Sequence, residues 1–141
     1  MKAAKENTKR YFSVEEANAT LPLLRSILRD VTDLAKSLQG QHERLSRLQE
    51  GSNGMDAAHR EEVERIESEF EQGQDRMREF IDEVQGLRVE LKDLFTGLVD
   101  FPCWMNGREV YLCWRLGEPE VSHWHELDAG VAGRQKLMNM V

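Results

Sequence analysis

One stretch of the sequence decides the fold; it reads Leu21-Pro-Leu-Leu-Arg-Ser-Ile-Leu-Arg-Asp-Val-Thr-Asp-Leu-Ala-Lys-Ser-Leu38. Steps of three and four alternate between the members of its apolar series, which are Leu21, Leu24, Leu28, Val31, Ala35 and Leu38. This heptad spacing keeps one stripe of a helix turned towards a single partner helix. The stretch therefore predicts a long helix that packs along a second helix.

A second heptad series follows the short polar segment Gly51-Ser-Asn-Gly54. Its members are Val63, Ile66, Phe70, Gly73, Met77, Phe80, Val84, Leu87, Leu91 and Leu94. Two helices joined by a short loop become antiparallel neighbours. We therefore predict an antiparallel, coiled-coil-like helical hairpin whose second helix covers residues 55–96. When the two apolar series are paired in antiparallel order, Leu28 is expected to lie opposite Gly73.

The ends of the hairpin carry boundary signals. Ser13-Val-Glu-Glu16 has the form of a capping box, in which each side chain accepts a hydrogen bond from the backbone amide of the other residue. Thr20-Leu-Pro22 resembles a second start, because proline is tolerated in the first turn of a helix. We therefore expect a short helix near 14–19 and a long helix at about 21–50. Gly97 is expected to end the second helix as a left-handed cap.

The composition changes beyond the hairpin, since all three tryptophans and both cysteines follow residue 102. Asn106-Gly107 lies between two β-rich runs and predicts a type I′ turn, which pairs Asp100 with Cys113. A turn at residues 117–120 predicts a third strand that sets Leu112 opposite His125. The predicted fold class is thus α+β, mainly α, with the helical hairpin followed by a small three-stranded antiparallel β-meander.

The predicted organisation is a single domain over residues 1–141, a length that suits one hydrophobic core. The meander covers residues 98–126. A flexible basic start at 1–12 precedes the hairpin, and a tail at 127–141 follows the meander.

Alternation of side chains divides the predicted meander into two faces. The apolar face, which includes His123 and His125, is expected to pack on the helices. The other face carries Asp100, Trp104, Tyr111, Cys113, Arg115, Trp124 and Glu126. Cys103 and Cys113 fall on opposite faces, so we expect two free thiols. The second face is too aromatic for a solvated surface, and the tail, a second subunit or a ligand should cover it.

Composition excludes several classes of protein. The net charge is −7 and no basic stripe is visible, so we expect no nucleic-acid partner. No apolar run approaches the length of a membrane span, and the start lacks the apolar core of a secretory signal. Two cysteines fit a reducing compartment, so the expected location is cytoplasmic.

Three stretches carry a resemblance to a known family. They are Tyr11-Phe-Ser-Val-Glu-Glu-Ala-Asn-Ala-Thr-Leu-Pro22, Leu91-Lys-Asp-Leu-Phe-Thr-Gly-Leu-Val-Asp-Phe-Pro102, and Val110-Tyr-Leu-Cys-Trp-Arg-Leu-Gly-Glu-Pro-Glu-Val-Ser-His-Trp-His-Glu-Leu-Asp-Ala-Gly130 with Arg134 after it. Over nearly its whole length the chain resembles a bacterial family catalogued as domain of unknown function 2203. The resemblance implies a cytosolic protein of this architecture and supplies no activity.

Two histidines, His123 and His125, have a spacing along one strand face that metal sites use. Cys103 on the same face, or Glu118 or Glu120 in the turn, could supply a third ligand. The alternative, which the apolar neighbours favour, is a pair of half-buried structural histidines. We therefore expect no cofactor and keep a metal ion as the less favoured interpretation.

A candidate small-ligand site lies around the strand ends and the turn; its members are Asp100, Arg115, Glu118, Trp124, His125, Glu126 and Arg134. Tryptophan offers a flat wall, arginine forked donors, and carboxylates metal or proton chemistry. We assign no catalytic residue. Cys113 has no histidine on its predicted face to lower its pKa, and motifs of phosphate loops or Ser-His-Asp sets do not occur.

Two functions therefore remain. The first is a non-enzymatic interaction or assembly protein, which uses the coiled hairpin and the aromatic sheet face to form a homodimer or to bind a protein partner. The second is a small-ligand or metal-binding protein, with or without enzymatic activity, whose site lies in the meander. The sequence favours the first.

Overall fold

The computed structural model describes residues 9–50 and 56–137. Its elements in chain order are α1 (Val14–Glu50), α2 (Ala57–Gly86), β1 (Glu90–Asp93), β2 (Leu98–Met105), β3 (Arg108–Arg115), β4 (His123–Glu126), a 3₁₀ turn (Val131–Gly133) and β5 (Gln135–Lys136). Two long helices packed on each other precede an antiparallel sheet, which confirms the predicted fold class.

Some predicted segments lie outside the described residues. These are the loop at 51–54, residues 1–8 of the basic start and residues 138–141 of the tail. In the described part of the chain, neither helix combines the length and the apolar character needed to cross a membrane.

The first helix is continuous, so the predicted division into a short and a long helix is wrong. Its capping box is present, because the Glu16 amide donates to the Ser13 hydroxyl at 3.0 Å and the Ser13 amide donates to the Glu16 carboxylate at 2.9 Å. Pro22 lies inside the helix and removes one backbone hydrogen bond. Leu21 and Leu24 flank this position and are buried in the core, and their packing holds the helix together across the missing bond.

The second helix ends at Gly86 rather than near residue 96. The chain turns at Arg88, which has a φ of 66°, and enters β1. Leu91 then pairs with Val99 in the sheet. Leu91 has the spacing of the heptad series, which is why the helix was expected to continue through it. An apolar residue at this position can equally well belong to a strand that packs on the core. Gly97, with a φ of 68°, lies in the turn between β1 and β2 instead of capping a helix.

The register of the helical hairpin also differs from the prediction. A Cβ atom on Gly73 would lie 2.6 Å from Cδ2 of Leu38, so Gly73 faces Leu38 rather than Leu28. The rings of His42 and Phe70, 6.0 Å apart, indicate the same alignment. Leu38 lies ten residues beyond Leu28, so the helices are displaced by about ten residues from the predicted register. Because steps of three and four alternate along each apolar series, this slip again brings apolar positions opposite apolar positions. The apolar pattern alone therefore allows both alignments.

The described residues form a five-stranded antiparallel sheet in the order β1-β2-β3-β4-β5, so the predicted three-stranded meander gains a short strand at each edge. The central hairpin has the predicted register, with Asp100 opposite Cys113 and Phe101 opposite Leu112. Asn106 and Gly107 have φ values of 54° and 79°, as a type I′ turn requires.

The predicted register of β4 is wrong by one residue. Leu112 pairs with Trp124 rather than with His125, and Cys113 pairs with His123. The cause lies in the connection before β4, where the Val121 amide donates to Oδ1 of Asn18 on α1 at 2.7 Å instead of pairing with β3. A shift of one residue moves every side chain to the opposite face.

The corrected register separates two faces cleanly. The inner face packs on the helices and is formed mainly by Val99, Phe101, Val110, Leu112, Trp114 and Trp124. Trp124 therefore belongs to the core. The outer face receives His123 and His125 beside Asp100 and Cys113.

Candidate functional site

Three ionisable residues meet on the outer face of the sheet. Asp100 of β2 pairs with Cys113 of β3, and Cys113 pairs with His123 of β4. His125 lies two residues further along β4 and is therefore on the same face of the sheet. All three are buried. One potential metal-binding atom of each residue lies within 4.8 Å of those of the other two. We call Asp100, Cys113 and His125 the buried cluster.

Hydrogen bonds fix the orientation of His125. Its Nδ1 lies 2.7 Å from the backbone carbonyl oxygen of Glu126, which can only accept, so Nδ1 carries a proton. Its Nε2 lies 3.0 Å from Oδ1 of Asp100. One proton therefore lies between Nε2 and Oδ1, and the pair is neutral overall whichever atom holds it. Burial raises the pKa of Asp100 even though the hydrogen bond to His125 opposes the rise.

Cys113 is a thiol in this environment. Burial raises its pKa to about 11, although the Arg134 guanidinium acts in the opposite direction. The sequence placed no histidine on the face of Cys113, whereas the structure places two there. Burial still dominates, so the cysteine is not an activated nucleophile. Cys103 lies on the inner face, and both cysteines are free, as predicted.

A cavity of about 360 Å³ lies over the outer face. Its lining residues are Lys92, Asp93, Leu98, Asp100, Tyr111, His125, Leu127, Gly130 and Val131. The sheet supplies the polar groups Asp100 and His125, and the tail after β4 supplies Leu127 and Val131. The tail thus covers part of the outer face. It is one of the three candidates for this role that the sequence analysis named.

Tyr111 and β1 form one side of this cavity. The Tyr111 hydroxyl donates to Oε2 of Glu90 at 2.9 Å, and Nζ of Lys92 lies 2.9 Å from Oε1 of the same carboxylate. Burial, followed by the Glu90 carboxylate, raises the pKa of Tyr111 to about 12. The phenol therefore stays protonated. Sequence reasoning missed Lys92 as a site residue because residues 90–93 were expected to be helical.

The family assignment rests on a match over most of the chain. The family model described as "Uncharacterized conserved protein (DUF2203)" matches residues 10–137. The chain belongs to this family. The match confirms the resemblance and includes the whole buried cluster and the lining of the cavity. No curated protein and no solved structure matches the chain.

In this member of the DUF2203 family, an ion pair holds the tail against the sheet. Arg134 donates to both carboxylate oxygens of Glu118, at 2.8 and 3.0 Å, and its Nη2 also reaches the carbonyl oxygen of Cys113 at 3.4 Å. Burial opposes ionisation of Glu118, but the hydrogen bonds from Arg134 and from the Arg115 amide outweigh it and lower the pKa. We call the Arg134–Glu118 pair the tail latch.

Replacing Arg134 with methionine should lower the melting temperature at pH 7 by about 3–6 °C, which corresponds to about 1–2 kcal/mol of lost charged hydrogen bonding. The pKa of Glu118 is lower in the folded state, so its contribution is present above the unfolded value of about 4.3 and is lost as the pH falls through the folded value. In scanning calorimetry, the difference in melting temperature between the wild type and the Arg134→Met variant should be smaller at pH 3.5 than at pH 7. The exposed Arg115→Met is the matched control, and an equal loss at both pH values would contradict the latch.

The remaining residues of the predicted sites lie elsewhere. The Arg115 side chain is exposed. The carboxylate of Glu126 forms an ion pair with Nη2 of Arg108 at 2.8 Å, while its backbone carbonyl holds His125. His123 is half-buried, with Nδ1 3.1 Å from the Ser122 hydroxyl, and burial and then Arg134 lower its pKa.

The structure places the residues of the proposed metal site in different surroundings. Of His123 and His125, the latter belongs to the buried cluster. Cys103 lies on the inner face, and the carboxylate of Glu118 is bound to Arg134. The signal that could have found the buried cluster is the confirmed pairing of Asp100 with Cys113, once β4 is placed in its true register.

Proposed function

We propose that the protein binds a small ligand in the cavity between the outer face and the tail. The observation that supports this most directly is the buried Asp100–His125 pair in the lining of that cavity. Buried titratable groups that converge on a concave site are typical of binding sites, because removing them from water costs free energy that a purely structural core avoids.

The lining indicates the chemical class of the ligand. The Asp100–His125 pair offers a hydrogen-bonding surface, and Leu127 and Val131 offer an apolar one. A volume of about 360 Å³ is near the lower end of the range of small-molecule sites. We therefore propose a short molecule with one polar head group and a small apolar body, whose head lies on the pair and whose body lies under the tail.

Access from solvent supports this assignment. Leu127 is 47% exposed and Val131 is 38% exposed, so the tail covers the cavity without sealing it. A ligand that fills the cavity would bury further parts of these two apolar side chains, at about 25 cal/mol for each Å² removed from water.

The test uses three molecules that share a four-carbon body and differ in the head group: butyrate, 1-butanol and butylamine. We expect at least one to give saturation-transfer NMR signals with the wild-type protein, and we expect Val131→Trp, which fills the cavity, to abolish them. Leu23→Trp at an exposed helix position is the matched control and should bind as the wild type does. The proposal is wrong if none of the three binds, or if Val131→Trp binds them equally well.

A second function, self-assembly, is favoured by a different observation. An apolar groove between the helices is lined by Leu38, Phe70 and Met77 and by Phe95, which is 45% exposed. We propose a homodimer, coiled along the hairpin, that closes this groove, since closed twofold dimers are the commonest oligomers. Sedimentation velocity at micromolar concentration tests it, and a monomeric mass would exclude it.

We propose a cytoplasmic location on the evidence of the two free, buried thiols, which suit a reducing compartment. A nucleic-acid partner is not proposed, because the net charge is −7.

A further inference from the structure

We infer that Asp100, Cys113 and His125 bind one divalent metal ion of the zinc type. This inference rests on the proposed ligand site, since it names an ion that binds at the same cavity. A carboxylate oxygen, a thiolate sulfur and an imidazole nitrogen are all zinc ligands. A sulfur ligand favours zinc and neighbouring transition metals over magnesium or calcium, which prefer sites built from oxygen alone.

The distances between the donor atoms fit such an ion. Zinc binds nitrogen and oxygen at about 2.0–2.2 Å and sulfur at about 2.3 Å, so tetrahedral donors lie about 3.2–3.8 Å apart. Nε2 of His125 and Oδ1 of Asp100 are 3.0 Å apart, and all three donor atoms of the buried cluster lie within 4.8 Å of one another. Small rotations about the side-chain bonds would bring the three atoms to the required spacing.

The tautomer of His125 provides an independent argument. A metal-binding histidine almost always donates its second ring N–H to a carbonyl or a carboxylate, which fixes the ring and raises its basicity. Here Nδ1 of His125 donates to the carbonyl oxygen of Glu126 at 2.7 Å. This bond leaves Nε2 as the coordinating atom, and Nε2 faces Asp100 within the buried cluster.

The charge of the site also balances. In the metal-free protein one proton lies between Asp100 and His125, and Cys113 carries a second proton on its sulfur. A divalent ion would replace both, releasing two protons and leaving a carboxylate, a thiolate and a neutral imidazole as ligands. The two negative charges would neutralise the ion, which a buried site requires.

The fourth coordination position would open on the cavity. Asp100 and His125 both line that cavity, together with Tyr111. Three protein ligands with one open position are the arrangement of zinc sites that bind water or an exogenous ligand, whereas structural zinc sites have four protein ligands. The polar head of the proposed small ligand would then bind to the ion, with its apolar body under Val131.

Cobalt(II) in metal-free protein tests the inference, because a bond between cobalt and a thiolate gives a charge-transfer absorption band in the near ultraviolet. The wild-type protein should develop this band and saturate at one equivalent, and zinc should remove it by displacement. Cys103→Ser has Cys113 as its single cysteine and should keep the band. Cys113→Ser should lose it, with a fall in zinc affinity of at least ~100-fold.

Two further variants separate the possible outcomes. His123→Gln should keep the band, because His123 lies outside the buried cluster, whereas His125→Gln should weaken cobalt binding. Absence of the band in Cys103→Ser would overturn the inference even if Cys113→Ser fails to fold. If the four-carbon molecules still bind and cobalt does not, the metal site alone is excluded; if cobalt binds and those molecules do not, the small-ligand function is excluded.

Discussion

Trp114→Ala should lower the free energy of unfolding by about 3–5 kcal/mol, a large part of the total stability of a domain of this size. Trp114 is completely buried on the inner face of the sheet, opposite Val99. Its Nε1 donates to the carbonyl oxygen of Glu118 at 3.0 Å. The substitution therefore leaves a large cavity in the core and also removes a bond that holds the connection between β3 and β4.

Urea unfolding measured by circular dichroism gives this difference, and comparing the slopes shows whether both proteins unfold in the same way. Trp104→Ala is the matched control, because the same residue type is 57% exposed at that position. We expect the control to cost less than about 1 kcal/mol. Equal losses in the two variants would mean that Trp114 is not part of the core.

His125→Leu should cost about 3–5 kcal/mol, because it leaves the carboxylate of Asp100 buried without its partner. Asp100→Val should cost a similar amount, because it leaves the imidazole of His125 buried without its partner. The double variant should lose clearly less than the sum of the two, since it removes both polar groups and leaves an apolar pair. We expect a coupling energy of about 2 kcal/mol, within the range found for directly bonded residues.

The double-mutant cycle is measured by urea unfolding in the presence of a chelator, so that metal binding does not contribute. Glu126→Gln with Arg108→Gln is the control pair, because that ion pair lies at the surface and should show a coupling below about 1 kcal/mol. Additive losses at Asp100 and His125 would contradict the buried hydrogen bond between them.

Local signals in the sequence predicted much of the fold. The heptad spacing identified two long helices, and Asn106-Gly107 fixed the register of the β2–β3 hairpin residue by residue. These signals depend on neighbours in the sequence, so they need no knowledge of the tertiary structure. The capping box at Ser13 and Glu16 was predictable for the same reason.

The errors arose where distant residues decide the outcome. A heptad series can slip by about ten residues and still set apolar positions opposite each other, so the pattern could not choose between Leu28 and Leu38 as the neighbour of Gly73. Strand β4 is displaced because Val121 bonds to a helix residue instead of to β3. That one-residue difference placed His125 on the face opposite to Asp100, although the candidate small-ligand site named both residues.

The hydrogen bond from Val121 to Asn18 has a consequence for folding kinetics. It joins positions 103 residues apart, whereas the turn at Asn106 and Gly107 closes a loop of two residues. Closing the longer loop costs more chain entropy, so the β2–β3 hairpin should form early and the alignment of β4 should wait until α1 has docked. A nascent chain would thus acquire its helices and its central hairpin first, and the contacts of the buried cluster with β4 only in the last folding step.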